Sequence, residues 1–487
     1  MKHIPSCPDT FSGGKRAIGA TRGKRSNRRI TMTRTRPTEI LALAILSVFA
    51  SSGACAQTLS TLVNFDVTNG VFPSYGPLVQ AINGDLYGTT QDGGANSAYG
   101  SIFKITPAGV LTTVHSFDSA DGANPYGALL QATNGYLYGT TYDGGANNDG
   151  TIFKMTPAGV LTTVHSFDTT DGANPYAGLV QAANGDLYGT TYAGGANSNG
   201  TIFKITPAGV LTTLHHFDGS DGSNPAAALI QAFNGTLYGT TVYGGAHADG
   251  TIFSITPGGS FSNLHNFDGT DGSTPVGGLF QAANGTLYGT AQGGGANSDG
   301  TIFKITRAGV LTTLHNFDGS DGQLPGASLI QASDGSLYGT TVQGGANGNG
   351  TIFKFSSVGL TTLHAFDSSD GASPNAPLVQ ATNGTFYGST FFGGTDNFGT
   401  AFSLSVGLGR FVETIPASGK VGTSVRILGT DLTGIASVTF NGTAAAFTVV
   451  SASEITTTVP TGATTGRVEV GTPSGFQVSN GPFAVYP

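Results

Sequence analysis

Residues 175–224 read PYAGLVQAANGDLYGTTYAGGANSNGTIFKITPAGVLTTLHHFDGSDGSN, and the same phrase returns along most of the chain. The tripeptide Leu/Phe-Tyr-Gly recurs with its tyrosine at 87, 138, 188, 238, 288, 338 and 387, and Phe-Asp recurs with its phenylalanine at 65, 117, 167, 217, 267, 317 and 366, at spacings of 49 to 52 residues. Self-similarity at a fixed period of this length marks an array of structural repeats. The quoted unit divides into four short strands, here a to d, expected at 176–183, 186–192, 201–206 and 210–217. Asn184-Gly185 joins a to b, and Asn-Gly is the preferred pair of a type I′ hairpin, in which both central residues take positive φ. It stands in six copies, with Asp334-Gly335 in the other. Thr-Pro-Ala-Gly joins c to d, where proline sets φ and glycine eases the exit. Nothing in the unit reads as a helix.

Strands b and c carry β-branched and aromatic residues on both faces, as in Thr201-Ile-Phe-Lys-Ile205, which is the pattern of strands covered on both sides. Small four-stranded sheets stacked radially between like neighbours meet that need. The ends of the array sharpen the expectation. Residues 59–66 (LSTLVNFD) match strand d, whereas the last copy supplies a at 377–381, b at 386–391 and c at 400–404 and no d. An N-terminal strand that completes the last sheet leaves no unpaired edge. The fold expected is therefore all-β: a seven-bladed β-propeller of four-stranded blades, its ring closed by the N-terminal strand, followed by an immunoglobulin-like β-sandwich.

The pattern LVQAxNGxLYGTT…GGAN…GTIFKITPAGxLTTLHxFDGxDGxxP resembles the GloVer tandem repeat of secreted bacterial proteins over residues 58 to about 405. That resemblance implies repeats that often precede a variable C-terminal surface anchor, and it carries no activity. A looser similarity to kelch repeats supports only the propeller idea, since the chain has no Trp. Beyond a linker at 406–412, the stretches PASGKVG (416–422), SVRILG (424–429), VTFNG (438–442), GRVEV (466–470) and FAV (483–485) resemble an IPT/TIG domain over 413–487. The resemblance implies a small immunoglobulin-like sandwich, and the alternating strands and Gly/Pro turns independently point to β structure.

Ten of the 20 Lys and Arg residues lie in residues 1–56, against only Asp9 and Glu39. The rest of the chain has ten basic and 26 acidic residues, a formal charge of −16. The basic Arg34 and Arg36, the apolar run 40–50 and Ala54-Cys55-Ala56 read as a signal peptide cleaved before Gln57, with Met32 a candidate start. The lipoprotein alternative, with Cys55 lipidated, is weaker because Ser52 stands where a leucine is usual. Cys7 and Cys55 are the only cysteines, so a chain starting at Gln57 holds no disulfide and no thiolate. Export then places it outside the cell, on its surface or in the periplasm. The acidic balance argues against nucleic acid as a partner, and no later apolar run is long enough to span a membrane. A monomer is expected.

Residues 57–405 contain no Glu. Their Asp residues repeat, and glycoside hydrolysis needs two carboxylates in distinct environments. Departures from the repeat look scattered rather than gathered at one mouth. A non-catalytic extracytoplasmic binding or scaffold protein is therefore expected, with surface carbohydrate or a surface protein as partner and no cofactor. The alternative is a propeller enzyme, hydrolase or lyase, acting on a polysaccharide. The histidines at 115, 165, 215, 265, 315 and 364 fall one per repeat on strand d, and packing is their expected role. The d–a loop reads Asp-x-x-Asp-Gly, giving Asp118/Asp121, Asp168/Asp171, Asp218/Asp221, Asp268/Asp271, Asp318/Asp321 and Asp367/Asp370. With the Gly-Gly-Ala-Asn b–c loop on the same face, these carboxylates are candidate ligands for Ca²⁺ or a polyol. The alternative is that they cap their own turns.

Overall fold

The computed structural model describes residues 57–486 apart from Ser74, Ser97 and Ala283. The leader expected over 1–56, with Cys7, Met32 and Cys55, lies outside the described residues. Every regular element among the described residues is a strand. In the quoted repeat Val180–Gln181, Leu187–Thr191, Thr201–Ile205 and Leu211–His216 pair antiparallel in that order. The same four-stranded order recurs through the repeat region, and the first sheet carries an extra piece, Val71–Pro73, beside Leu86–Asp92. The sheet of Val379–Gln380, Phe386–Thr390 and Thr400–Ser405 takes its outer strand from the other end of the array: Thr58–Asn64 pairs antiparallel with Thr400–Ser405, Leu59 opposite Leu404 and Asn64 opposite Thr400.

Side chains explain the signature residues. Gly189 of Leu-Tyr-Gly sits directly across from Phe203. A Cβ there would lie 2.6 Å from Phe203 Cζ and 2.8 Å from Leu179 Cδ2, so the glycine makes room for the phenylalanine that fills each sheet interface. Tyr188, Ile202 and Phe217 then pack with Leu229, Leu237 and Phe253 of the following sheet in one buried cluster. At the loop end of the sheet the Thr191 and Thr201 hydroxyls meet at 2.9 Å, which satisfies two buried polar groups with one bond.

Three local expectations need correction. Strand a is only two residues long. Asn174 adopts φ +56° with its carbonyl still accepting from Tyr192 N–H, Pro175 has no N–H to give, and residues 175–179 leave strand b before pairing resumes at Val180; Ala173 keeps an isolated bridge to Ala193. The a–b connection is not type I′. Gly185 has positive φ and Asn184 does not, Gly185 N–H donates to Ala182 O at 2.9 Å, and Ala182 N–H to Asp186 O at 3.0 Å. That is a three-residue loop, a type I turn closed by a left-handed glycine. Strand d contains a bulge: Ile202 pairs with His215 and Phe203 with Thr213, leaving Leu214 unpaired. The extra residue turns Leu214 onto the apolar interface while His215 stays within reach of the following loop.

After the repeats, Glu413–Ile415, Ser424–Leu428, Glu454–Thr458 and Phe447–Val449 form one sheet, in the order listed. Thr443–Ala444, Ser437–Phe440, Val468–Thr472 and Gly475–Val478 form a second. Val425, Ile427, Val438, Phe440, Ile455 and Val468 are buried in a shared core. This segment meets the a–b turn end of the first and last repeats: Ser453 Oγ donates to Ile82 O at 2.9 Å, the Thr382 and Thr430 hydroxyls lie 2.8 Å apart, and Asn480 Nδ2 donates to Gln380 Oε1 at 3.1 Å. The opposite end, where the d–a and b–c loops emerge, stays free of it.

Candidate functional site

The Asp-x-x-Asp-Gly loop is a closed hydrogen-bonded unit. Asp168 Oδ1 accepts from Thr170 N–H (3.0 Å), Thr170 Oγ1 (2.6 Å) and Asp171 N–H (3.2 Å), while Asp171 Oδ1 accepts from Asp168 N–H at 3.2 Å. The hydroxyl of Thr170, followed by the backbone donors, holds the Asp168 carboxyl below its usual range, and Thr270 does the same for Asp268. Serine takes the hydroxyl role at Asp218, Asp318 and Asp367. Gly172 lies at φ +139°, and a side chain there would run into Thr191 Cγ2 at 2.5 Å, which is why Asp171 is followed by glycine.

The second aspartate has a partner that sequence reasoning treated separately. Asp121, Asp171, Asp221, Asp271, Asp321 and Asp370 each place Oδ2 2.7–2.8 Å from Nε2 of His115, His165, His215, His265, His315 and His364. Each imidazole also meets a Phe-Asp phenylalanine edge-on, as His165 meets Phe167 at 5.0 Å. Burial raises the Asp121 carboxyl, and the His115 bond with the Asp118 backbone donor outweighs it, so it too sits low. Strand-d histidines and loop aspartates are thus one device that ties each loop to the sheet edge. Among the described residues no three His, Cys, Asp or Glu side chains gather as a metal-holding group. The twelve candidate aspartates stand as six separate pairs.

A second feature breaks the repeat. In the irregular stretch before each first strand, the equivalent positions hold Tyr75, Tyr126, Tyr176, Ala226, Val276, Gly326 and Asn375, all lining one solvent-open pocket of about 470 Å³ including its open mouth. Tyr126 stacks on Tyr176 at 4.9 Å, Tyr75 meets Tyr176 at 5.4 Å and Tyr126 at 5.8 Å, and Tyr75 meets Phe391 at 5.6 Å. Tyr142 and Tyr192, at the ends of their b strands, back Tyr126 at 5.1 Å and Tyr176 at 6.0 Å. An aromatic arc therefore runs over the last repeat and the first three, facing small residues on the other side. Tyr243 and Phe392, on the b–c loops of the fourth and last repeats, are exposed. Just behind the arc, Asp92 accepts from Asn124 Nδ2 at 2.9 Å and Asp143 from Asn174 Nδ2 at 3.2 Å.

Burial raises both of these carboxyls; the Asn124 bond opposes it at Asp92. Burial first, then Tyr75 and the two aspartates, pushes the Tyr126 phenol up to about 12, and burial pushes Tyr176 higher still. Both phenols therefore stay protonated and able to donate. Below them the walls are backbone: a Cβ on Gly127 would lie 2.6 Å from the Ala177 carbonyl carbon, and one on Gly76 2.3 Å from Ala128 N. The departures from the repeat are therefore not all scattered: those in this column line one mouth. Their signal lay in reading one column of the repeat, the residue after Pro125 and Pro175, across all copies.

Comparison with known families gives one decisive match: the Gloeobacter/Verrucomicrobia repeat matches residues 48–253 and again 228–450. The chain belongs to the Gloeobacter/Verrucomicrobia repeat family. No curated protein matches this repeat protein's sequence. Among solved structures it is similar to a putative 6-phosphogluconolactonase from Bacteroides uniformis, 16% identical, covering 59% of this chain and 83% of that one with a TM-score of 0.40. A gluconolactonase from Xanthomonas campestris is 12% identical over 60% and 88%, with a TM-score of 0.39. An α-L-arabinanase from Penicillium chrysogenum, complexed with arabinobiose, is 14% identical over 63% and 98%, with a TM-score of 0.40. At these scores the likeness carries no conclusion about the activity of the Gloeobacter/Verrucomicrobia repeat chain.

Proposed function

We propose that residues 57–405 close into a seven-bladed β-propeller, that 413–487 form an immunoglobulin-like sandwich of IPT/TIG type, and that the exported protein is a non-catalytic binding or scaffold protein for surface carbohydrate. Support for closure comes from the seam. Phe72 N–H donates to Phe398 O at 2.9 Å just as Asn174 N–H donates to Asp149 O at 2.8 Å between consecutive sheets. Gln80 Oε1 accepts from Thr382 N–H at 2.9 Å just as Gln181 Oε1 accepts from Thr133 N–H at 2.9 Å. Phe65, Leu78 and Phe103 share a buried cluster with Ala381, Tyr387 and Ala401. The two sheets around Val425 and Phe440 support the sandwich. The basic, apolar and small-residue order of 1–56 supports export, with cleavage before Gln57.

The aromatic arc carries the binding reading. Tyrosine offers an apolar ring face with a hydroxyl at its tip, which suits a sugar ring with apolar faces and hydroxyl edges. The arc opens on the same end as the Asp/Asn loops, which then frame the site and hold it rigid; on this reading their carboxylates form turns rather than bind calcium. Asp92 and Asp143 favour the alternative, a polysaccharide-cleaving enzyme, since burial raises both. They occupy equivalent positions in consecutive repeats beside equivalent asparagines, however, so nothing separates an acid from a base. A glycan screen of the chain tests the reading: binding should be lost in Tyr126→Ala with Tyr176→Ala. Release of reducing ends by the wild type, abolished in Asp92→Asn, would replace binding with hydrolysis.

A further inference from the structure

Charge is sorted between the two ends of the repeat region. Its only cations are Lys104, Lys154, Lys204, Lys304, Lys354 and Arg307, all on strand c or the c–d turn. They face the a–b turns: Lys104 pairs with Asp85 at 3.4 Å, Lys354 with Asp334 at 2.7 Å, and Lys154 lies 5.5 Å from the Tyr136 ring centre. Of the 22 aspartates in residues 57–405, all but Asp85, Asp186 and Asp334 lie at the end of the sheets that carries the aromatic mouth, Asp92 as the last residue of its strand and the others in the d–a and b–c loops. Among the described residues no Lys or Arg shares that face. Clefts bordered by charge of one sign concentrate ligands of the other, and tyrosine faces attract cations as well as sugar rings.

From the aromatic mouth and the charge that frames it, we infer that the ligand is a cationic glycan, a chain of deacetylated amino sugars whose ammonium groups face the loop aspartates while its rings lie on Tyr126 and Tyr176. This rests on the carbohydrate reading and narrows it. Neutral glycans forgo the field, and uronic-acid polymers meet repulsion. The arc supplies what an acidic rim alone lacks, a flat apolar surface fitted to pyranose rings.

Isothermal titration of the full chain with a glucosamine hexamer, its fully N-acetylated counterpart, an oligomannuronate and hexalysine separates the readings. The glucosamine hexamer should bind, on the order of tenfold more tightly than the acetylated chain. Binding should weaken with added salt and as rising pH discharges the amines. Tyr126→Ala should lower the affinity by about tenfold, while Tyr126→Phe, which keeps the ring, should bind nearly as the wild type and melt with it. Equal binding of the acetylated chain overturns the charge selection and leaves the carbohydrate reading standing. Binding of hexalysine alone overturns both in favour of a basic protein partner. Glucosamine binding that salt abolishes but Tyr126→Ala leaves untouched is ion exchange on the rim, and also overturns the inference.

Discussion

Phe65 offers a direct test of closure. It lies next to the N-terminal strand, a few residues from the start of the described chain, yet it is completely buried. Its ring sits 5.1 Å from that of Phe103 on the first sheet, in a cluster that also takes in Tyr387 and Ala401 from the last. Phe217, its equivalent in mid-array, is equally buried and sits 5.4 Å from Phe253. Replacing a buried phenylalanine by alanine costs about 3–5 kcal/mol when the surroundings stay folded. In a closed ring, Phe65→Ala and Phe217→Ala should therefore destabilise alike. In an open array the terminal strand frays, the residue spends part of its time exposed, and the loss at Phe65 falls below about 1 kcal/mol. Guanidinium unfolding followed by far-ultraviolet circular dichroism and tyrosine fluorescence measures both, since the chain has no Trp. The comparison within one protein cancels most uncertainty about the unfolded reference. A full loss at Phe217 with almost none at Phe65 would refute closure by the N-terminal strand.

Acid should unfold the repeats. Asp66, Asp168, Asp218, Asp268, Asp318 and Asp367 have folded pKa values held low by their turns, so their stabilisation is present above the unfolded value of about 3.9 and is lost as pH falls through the folded one. Asp92 and Asp143 act in the opposite sense but are outnumbered; the melting temperature should drop steeply below about pH 4, and a flat profile would contradict the turn assignment. Millimolar calcium should leave the melting temperature unchanged, because the loop carboxylates already accept their own backbone and hydroxyl donors; a rise of several degrees, reversed by chelator, would restore the calcium reading. N-terminal sequencing of protein from a native host should begin at Gln57, and a diacylated Cys55 would make it a lipoprotein.

Much of the architecture was legible because it depends on residues that recur with the period. Gly189 opposite Phe203 and the Thr191–Thr201 pair are local necessities of one sheet, so each appears in the sequence as a repeated letter. Other features left no such mark. Nothing in LTTLHHF announces that Leu214 bulges out of register, because the bulge is selected by packing against the next sheet rather than by local preference. Asn-Gly favours two turn types, and the choice between them was made by the pairing of Ala182 with Asp186. The His–Asp bond joins residues six apart, across a loop whose shape had to be known first.

The candidate site was hidden for the opposite reason. A repeated residue answers to nearly equivalent surroundings in every copy, so its recurrence reports what every repeat needs: a cap, a close approach, a filled interface. In the proposed ring, a ligand on the axis would meet all blades at once without sharing their symmetry, so the residues that select it would differ from copy to copy. Tyr75, Tyr126 and Tyr176 followed by Ala226, Val276 and Gly326 are such a column, and the aspartates at 92 and 143, replaced by Ala193 and Tyr243, are another. The twelve loop aspartates recur because each holds its own turn and histidine. That same recurrence gives none of them a preference by shape; on the binding reading proposed above, their influence is the field they cast over the mouth, and selectivity falls to the residues that do not repeat.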